Sequence, residues 1–584
     1  MLELLAKLAT GAEPGFAEKQ IRWALSFDGN GRFLDVLELG DAGTKGNRGQ
    51  TFSRCPEFIR QYKQAGGKSE FLWDTAEIVA RYAENPDDED LGKKHDHFVQ
   101  LLRGAAAVMP ELTPIANALN DDDVLTQIRK RLEEKRVRPN DKVTLLIDDE
   151  YPLASPAWHD WWREQYRRLC TGRQADKAEK RSKRAKRKMV CLVSGEIVEP
   201  LETHPKIEGL AGVGGQPSGD VLVGMDKDAF TSYFLQQSAN AAVAQEAAYR
   251  YRAALNELIR NNSRKLAGAL VVHWFKSTVR KEDDPLDWLD NPPGAEESMA
   301  RKAASDLLDS IASGKRADLG DNRYYALVLS GAAGRVMVRD WMEGQFEELA
   351  RNIGNWFEDL SVVHRDAGRL APDPTFQTIL RSTVFGRNPK EKDDNLPPPF
   401  VAKMWRVAVR GEPIPQAALA MALARFKADI LDKDKTFDHA RMGLMKAYFV
   451  RKARKEGKEN HMRQEYNWQH PSPAYHCGGT MAVLAKLQQA ALGDVGAGVV
   501  QRYYAAASAT PALVLGRIIR TAQYHLNKLE PGLAHWYEEK LGQLALAIGD
   551  NYPQTLTVEG QSLFALGYYQ MWVELRTKKS EENK

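Results

Sequence analysis

The 584-residue sequence has only four cysteines, Cys55, Cys170, Cys191 and Cys477, and none of them forms a C-x-x-C pair. So few in so long a chain supply no disulfide framework and fit a reducing cytosol. An apolar run of membrane-spanning length is also missing. "LAGALVVHWF" is about ten residues and ends in His-Trp. The opening stretch "MLELLAKLATGAEPGF" places Glu3 where a secretion signal has basic residues, and its apolar residues are spaced as on an amphipathic helix. The expectation is a soluble, cytoplasmic protein with no membrane partner. An excess of one charge is absent too: 82 Lys and Arg stand against 79 Asp and Glu. That excludes a histone-like polycation, so any nucleic-acid surface must come from local segregation of charge.

Common catalytic signatures are absent as well. No G-x-x-x-x-G-K-[ST] phosphate loop occurs. "GVGGQPSG" is glycine-rich, but it has no Lys to reach phosphate and no Ser/Thr after it to hold Mg²⁺. No H-E-x-x-H pair puts two imidazoles on one helix face. "AYHCGG" sets His476 beside Cys477, with His470 and His461 upstream. That spacing fits no tetrahedral metal template, and adjacent residues rarely meet in nucleophile–base geometry. A helix entry built of small residues accounts for the stretch better. The expectation is a binding protein with no catalytic residues, no metal and no cofactor.

The patterning predicts an α+β protein. Residues 1–142 read as an N-terminal α+β region. "IRWALSFDGNGRFLDVLEL" is a hairpin with an Asp-Gly-Asn-Gly turn, and "EFLWDTAEIVARYA" and "KHDHFVQLLRGAAAVM" carry helical spacing. Residues 143–460 read as a middle α/β region. They hold the strand "VTLLIDD", the helix "PAWHDWWREQYRRLCTGR", a basic block, a glycine-rich loop and the strand pair "YYALVLSGAAGRVMVRDW". Residues 461–584 read as an all-α bundle, because strand signals vanish from Tyr475 onward. The boundary falls within "RKARKEGKENHMRQEYNWQHP", a run that is either a charged linker or the start of a second functional unit.

Three features suggest binding. Lys177, Lys180, Arg181, Lys183, Arg184, Lys186, Arg187 and Lys188 form the densest basic block. It is either a solvated loop or a set of phosphate contacts, blind to sequence and sensitive to salt. Two glycine-framed loops offer backbone that can approach a groove wall closely. One carries Lys45, Asn47, Arg48 and Gln50; the other carries Gln216 and Ser218 among Gly212, Gly214, Gly215 and Gly219. Asn and Gln suit adenine and Arg suits guanine, although ordinary turns use the same residues. In "ALVLGRIIRTAQYHLNKL", at about 100° per residue, Arg517, Arg520, Tyr524 and Lys528 share one face, and Leu515, Ile518, Ile519, Ala522 and Leu526 lie opposite. A basic face with an aromatic suits single-stranded nucleic acid; it also suits the solvated side of a bundle helix.

The stretches "GFAEKQIRWALSFDGNGRF", "FLWDTAEIVARY", "THPKIEGLAGVGGQPSGDVLVGMDKDAFTSY", "NLPPPFVAKMWRVAVRGEPIPQAAL" and "RYYAAASATPALVLGRIIRTAQYHLNKL" follow one another in this order. In them the chain resembles the large subunit of the type I-C CRISPR Cascade surveillance complex, over nearly its whole length. The resemblance implies a non-catalytic protein that recognises the protospacer-adjacent motif in double-stranded DNA and helps unwind it. It implies that the protein then stabilises the displaced non-target strand in the R-loop and docks the helicase-nuclease. The guide supplies the remaining specificity by base pairing. The implied partners are crRNA, target DNA, the Cascade backbone and crRNA-processing subunits, the small subunit and the helicase-nuclease. On this reading Lys45, Asn47, Arg48, Gln50, Gly214, Gly215, Gln216 and Ser218 read the motif. Lys180, Arg181, Lys183, Arg184, Lys186 and Arg187 contact phosphate. Arg517, Arg520, Tyr524 and Lys528 hold the displaced strand. The resemblance further implies that the C-terminal bundle is like the Cascade small subunit and that such a subunit is translated from an internal start. Met462 suits one, since Lys458-Glu459 could be encoded AAG GAG, a ribosome-binding sequence. The alternative is a metal-dependent nuclease or helicase accessory enzyme acting on nucleic acid, with carboxylates among Asp148, Asp149, Asp393 and Asp394.

The basic block generates one expectation. Changing Lys183, Arg184, Lys186 and Arg187 to Ala should flatten the dependence of DNA affinity on salt by roughly 0.9 in log–log slope per lost duplex phosphate contact, while leaving motif preference intact. An unchanged slope with a shifted preference would mean that the block reads bases.

Overall fold

The computed structural model describes the chain except residues 10, 42–46, 48, 59–67, 169–187, 202, 226, 231–234, 236, 267, 295–298, 367, 431, 433–436, 494, 496–497 and 577–584. The fold is α+β, as the patterning predicts, with strands up to Gln345 and, among the described residues, helices thereafter. The chain divides into two compact units: Met1–Glu208 with Ser218–Glu257, and Gly209–Pro217 with Leu258–Lys584.

In the first unit the strands are β1 (Phe16–Ile21), β2 (Trp23–Phe27), β3 (Phe33–Glu38), β4 (Gln50–Pro56), β5 (Trp73–Thr75), β6 (Lys142–Ile147), β7 (Met189–Val190) and β8 (Ile197–Val198). β2 and β3 form the expected hairpin. Its turn is closed by Asp28, whose Oδ1 accepts from the backbone N–H of Asn30 (3.0 Å) and of Arg32 (2.8 Å). The four-stranded sheet has the order β3-β2-β6-β5. β2 and β6 run parallel and are buried along nearly their whole length, as parallel strands covered on both faces must be. β1 and β4 form a separate antiparallel pair. "EFLWDTAEIVARYA" departs from its helical spacing. Leu72 has φ 63°, Trp73–Thr75 pairs with β6, and only Ala76–Ala80 is helical. Trp158, Trp162, Phe27, Phe71 and Phe98 fill the core.

The second unit begins with an antiparallel meander, β9 (Ser263–Leu266), β10 (Ala269–Phe275), β11 (Arg323–Ala332) and β12 (Arg335–Gln345). Among the described residues no strand follows β12. The helix Phe346–Leu360 packs on the helices Met299–Ala312 and His439–Glu456. The helices Pro473–Leu492 and Val558–Glu574 make the most intimate helix pair. A Cβ on Gly478 would lie 1.9 Å from the Phe564 carbonyl O, and one on Gly567 would lie 1.9 Å from that of Tyr475. "HCGG" is therefore a backbone-to-backbone crossing. His476 is spent there: its Nδ1 is 2.9 Å from Tyr466 Oη and its Nε2 2.7 Å from the His470 carbonyl O. Burial pushes the Cys477 thiol up to about 12.

A buried charge cluster fixes the middle of this unit. The Asp359 side chain is 0% exposed. It accepts from Arg451 Nε (2.8 Å) and from Arg454 Nη2 (2.8 Å). Removing one partner of such a cluster strands the other in low dielectric and costs about 3–5 kcal/mol. Asp359→Ala should therefore lower the unfolding free energy by that much, read as a lower urea midpoint, and Asp359→Ala with Arg451→Met should recover part of it. Equal midpoints for the single variant and wild type would show the cluster to be idle.

Candidate nucleic-acid interface

The glycine-rich loop grows from a charged, buried base in the first unit. Ile207 and Asp220 exchange both backbone hydrogen bonds at 2.8 Å. Arg252, on the helix Gln245–Asn261, donates to Glu57 Oε2 (2.5 Å), to Glu208 Oε1 (3.3 Å) and to the Lys206 carbonyl O (3.3 Å). Lys19 Nζ donates to Glu57 Oε1 at 2.9 Å. Burial alone would raise the Glu57 pKa, but Arg252 and Lys19 outweigh it and hold the carboxyl far below the usual carboxylate range. His204 is buried with Nδ1 2.6 Å from Tyr251 Oη, and burial pushes its pKa down to about 4. Lys19, Glu57, Glu208 and Arg252 are scattered through the chain, and no local sequence signal groups them.

Gly209–Pro217 belongs to the second unit. Ala211–Val213 makes one 3₁₀ turn, ended by Gly214 at φ 88°. The loop then sits on the end of β11. A Cβ on Gly331 would lie 2.1 Å from both N and Cα of Gly215, and one on Gly214 would lie 2.9 Å from the Gly331 carbonyl O. Gly331 and Gly214 are thus needed for this seat, and Gly215 is the backbone that Gly331 packs against. Gln216 is exposed, with its amide beside Gly334 in the β11–β12 turn. Ser218 is exposed in the first unit, and its Oγ accepts from Lys206 Nζ at 3.3 Å.

The other predicted residues separate clearly. In the N-terminal loop, Lys45 and Arg48 lie outside the described residues. The Asn47 amide N donates to the Leu39 carbonyl O (2.9 Å) and to Glu38 Oε1 (3.2 Å), and its Oδ1 accepts from Gly49 N–H (2.9 Å). That side chain braces its own loop. Gln50 is exposed at the start of β4. Lys180, Arg181, Lys183, Arg184, Lys186 and Arg187 lie outside the described residues.

The helix Pro511–Leu526 follows its angular pattern closely. Leu515, Ile518, Ala522 and Leu526 are buried, whereas Arg517, Arg520, Tyr524 and, just past the helix end, Lys528 are exposed. Among the described residues none gives Arg517, Arg520 or Lys528 a carboxylate. Leu513, 79% exposed, extends the same stripe, and Tyr524 is 73% exposed. Leu513 went unremarked in the sequence, although it sits four residues before Arg517 on the helix repeat. A groove of about 340 Å³, lined by Leu484, Tyr503, Arg517 and His525 among others, runs beside the stripe. One surface therefore offers cations, an aromatic ring and an aliphatic side chain.

The carboxylates of the alternative reading lie apart in function. Asp393 is bound by Arg381 Nε (2.7 Å) and Nη2 (2.6 Å), an interaction that lowers its pKa. Asp148 Oδ1 accepts from Gly29 N–H at 2.8 Å. Among the described residues no group of three His, Cys, Asp or Glu is placed to hold a metal ion. No helix there is long and apolar enough to cross a membrane.

Comparison with known proteins gives one family. The model described as CRISPR-associated protein (Cas_Csd1) matches residues 3–574. A search of curated proteins found no match.

The seat of the glycine loop can be tested directly. Gly331→Ala should force the Gly209–Pro217 backbone away from β11, at an overpacking cost of about 1–3 kcal/mol. Limited proteolysis should then cut within 209–217 faster than in wild type. An unchanged cleavage rate would mean that the loop is not held there.

Proposed function

The chain belongs to the Cas_Csd1 family of CRISPR-associated proteins, and on that premise we propose that it is the non-catalytic large subunit of a type I-C, crRNA-guided surveillance complex. In this role it recognises the protospacer-adjacent motif in duplex DNA, assists unwinding, stabilises the displaced strand and docks a helicase-nuclease. Its partners are the crRNA, the backbone and crRNA-processing subunits and a small subunit. The observation that carries the reading is the Leu513–Arg517–Arg520–Tyr524 stripe. Surface cations that serve only solubility need no ordered aromatic among them, whereas a single strand uses both: phosphate pairs with guanidinium, and bases stack on the ring at ~1–3 kcal/mol each. Gln216 is the motif reader best supported, because its side chain is exposed on a braced backbone. Asn47 would have to exchange three internal hydrogen bonds for base contacts.

An internal start at Met462 belongs to the same proposal. Three of the bonds that seat residues 463–470 run to helices downstream of that Met, whereas Gln464 Nε2 reaches back to Ser361 Oγ (3.1 Å) and Asn467 Nδ2 to the His461 carbonyl O (2.8 Å). Gln570 Nε2 donates to the Arg463 carbonyl O (2.7 Å), Tyr475 Oη accepts from Asn467 N–H (3.1 Å), and Trp468 Nε1 donates to Glu574 Oε1 (3.1 Å). A product beginning at Met462 keeps the three downstream bonds and loses those to Ser361 and His461.

The test uses the assembled complex. Arg517→Glu with Arg520→Glu should shorten R-loop lifetime and leave permanganate-reactive thymines on the non-target strand less protected, with initial motif binding little changed. Gln216→Ala should remove roughly 1–3 kcal/mol of discrimination between right and wrong motifs. Unaltered footprints together with unaltered discrimination would defeat the proposal, as would Mg²⁺- or Mn²⁺-dependent cutting of labelled DNA by the purified chain.

A further inference from the structure

The second unit contains a cleft of about 1020 Å³ that none of the preceding functions uses. Its walls carry Arg365, Arg381, Arg387, Lys392, Arg425 and Arg441, against the three carboxylates Asp373, Asp429 and Asp438. Those carboxylates are already engaged. Asp429 accepts from Arg441 Nη2 at 2.8 Å and from Arg425. Asp438 caps the helix His439–Glu456 by accepting from Arg441 N–H at 3.0 Å. Asp373 accepts from Ala300 N–H at 3.1 Å. The cleft is therefore a net cationic site.

Two features make it more than a charged depression. Arg441 is 3% exposed, lines the cleft, and its Nη1 has no hydrogen-bond partner among the described residues. A buried guanidinium N–H without an acceptor is costly, and an anion in the cleft would supply one. The other feature is Phe385, 59% exposed at the rim, with the Arg425 guanidinium 5.3 Å from its ring centroid. Arg387 follows two residues later, is exposed, and has no carboxylate on its guanidinium among the described residues. Its backbone N–H donates to Glu391 Oε2 at 2.9 Å, which fixes the turn. A planar exposed ring flanked by guanidinium groups accepts a base on its face and a phosphate on its edge.

We propose that this cleft binds a nucleoside phosphate, with the phosphate against Arg441 and Arg387 and the base stacked on Phe385. The ligand is either a free nucleotide or one nucleotide of a bound strand; the recognition chemistry is the same. This inference stands apart from the function proposed above, since it needs neither a motif nor a guide.

Two probes separate the sources: deoxythymidine 5′-monophosphate, followed by calorimetry on the full chain, and a short oligo-dT strand, followed by anisotropy. The strand is measured in an Arg517→Glu, Arg520→Glu background so that the helical stripe does not report. Phe385→Ala and Arg387→Ala alter exposed side chains, and the circular dichroism of each variant checks its fold. Binding of the mononucleotide that weakens roughly tenfold or more in either variant, as loss of one stacking or phosphate contact requires, identifies a free-nucleotide pocket. Binding of the strand alone, with the same loss, identifies a strand nucleotide. The proposal is overturned if neither probe binds, if the variants bind as wild type does, or if an acidic peptide displaces the probe as well as unlabelled nucleotide does.

Discussion

The second unit depends on one carboxylate. Asp359 ends the helix Phe346–Leu360 with its side chain fully out of solvent. Two arginines from the helix His439–Glu456 answer it, and the same helix sends Lys446 Nζ to the Asp359 carbonyl O at 2.9 Å. Arg451 also donates to the carbonyl O of Val407 (2.7 Å) and of Glu412 (3.0 Å), which adds the end of the helix Pro398–Arg410. Apolar packing alone would tolerate small rotations of these three helices. A buried ion pair does not, because its desolvation cost is offset only in good geometry. The pair thus sets the register of the helix His439–Glu456. One end of that helix carries Arg441 into the cationic cleft. The other ends at Gly457 (φ 63°) and releases the chain toward the C-terminal helices.

This changes the meaning of "RKARKEGKENHMRQEYNWQHP". Its first six residues, Arg451–Glu456, end a helix, and Arg451 is among the largest fully buried side chains of the described residues. Its second half has no regular structure, yet Met462, Tyr466, Asn467 and His470 are buried. The run buries side chains at both ends and leaves residues 454–460 exposed between them. Its upstream half looks back to Asp359 and its downstream half looks forward to Tyr475 and Gln570. The change of allegiance falls close to Met462. A fragment starting there would lose the bonds of Gln464 to Ser361 and of Tyr569 to the Val363 carbonyl and the packing of Phe437 on Tyr568 and Trp572, and would bare the face that now meets Tyr448 and Lys452, which bind Glu559 Oε1 at 2.6 Å each. A free copy would therefore present Glu559 to solvent or to a new cationic neighbour.

Periodicity made much of this fold legible. The β2–β3 and β11–β12 hairpins were readable from small turn residues between apolar runs, and the amphipathic helix Pro511–Leu526 because one face is apolar and the other wet. Legibility failed where the environment is uniform or the partners are distant. "LAGALVVHWF" becomes the fully covered strand β10, and a continuous apolar run carries no period to distinguish strand from helix. In "EFLWDTAEIVARYA" the pairing of Trp73–Thr75 with β6 overrides helical spacing that only tertiary contact could overrule. The candidate site divides in the same way. Exposed residues on a helix face could be found by angle. The role of Gly214 and Gly215 could not, since Gly331 lies more than a hundred residues away in sequence. Nor could the cleft, whose cations come from five separate segments.

Charge pairing offers a way to sort structural cations from functional ones. The 82 basic and 79 acidic side chains nearly balance, yet they are not evenly matched in space. Lys19, Arg252 and Arg451 are buried against carboxylates and serve the fold. Exposed pairs such as Lys93–Glu89 add little either way. Among the cations that have no carboxylate of their own among the described residues, Arg517, Arg520 and, just past the helix end, Lys528 share one surface, and Arg387 stands at the cleft. In a chain whose acids and bases nearly balance, these arginines stand without a carboxylate among the described residues, near the exposed rings of Tyr524 and Phe385. Each group keeps its guanidinium hydrogen bonds available and places a planar surface next to them. That combination does nothing for folding stability. It is what an external anion with a flat aromatic part requires.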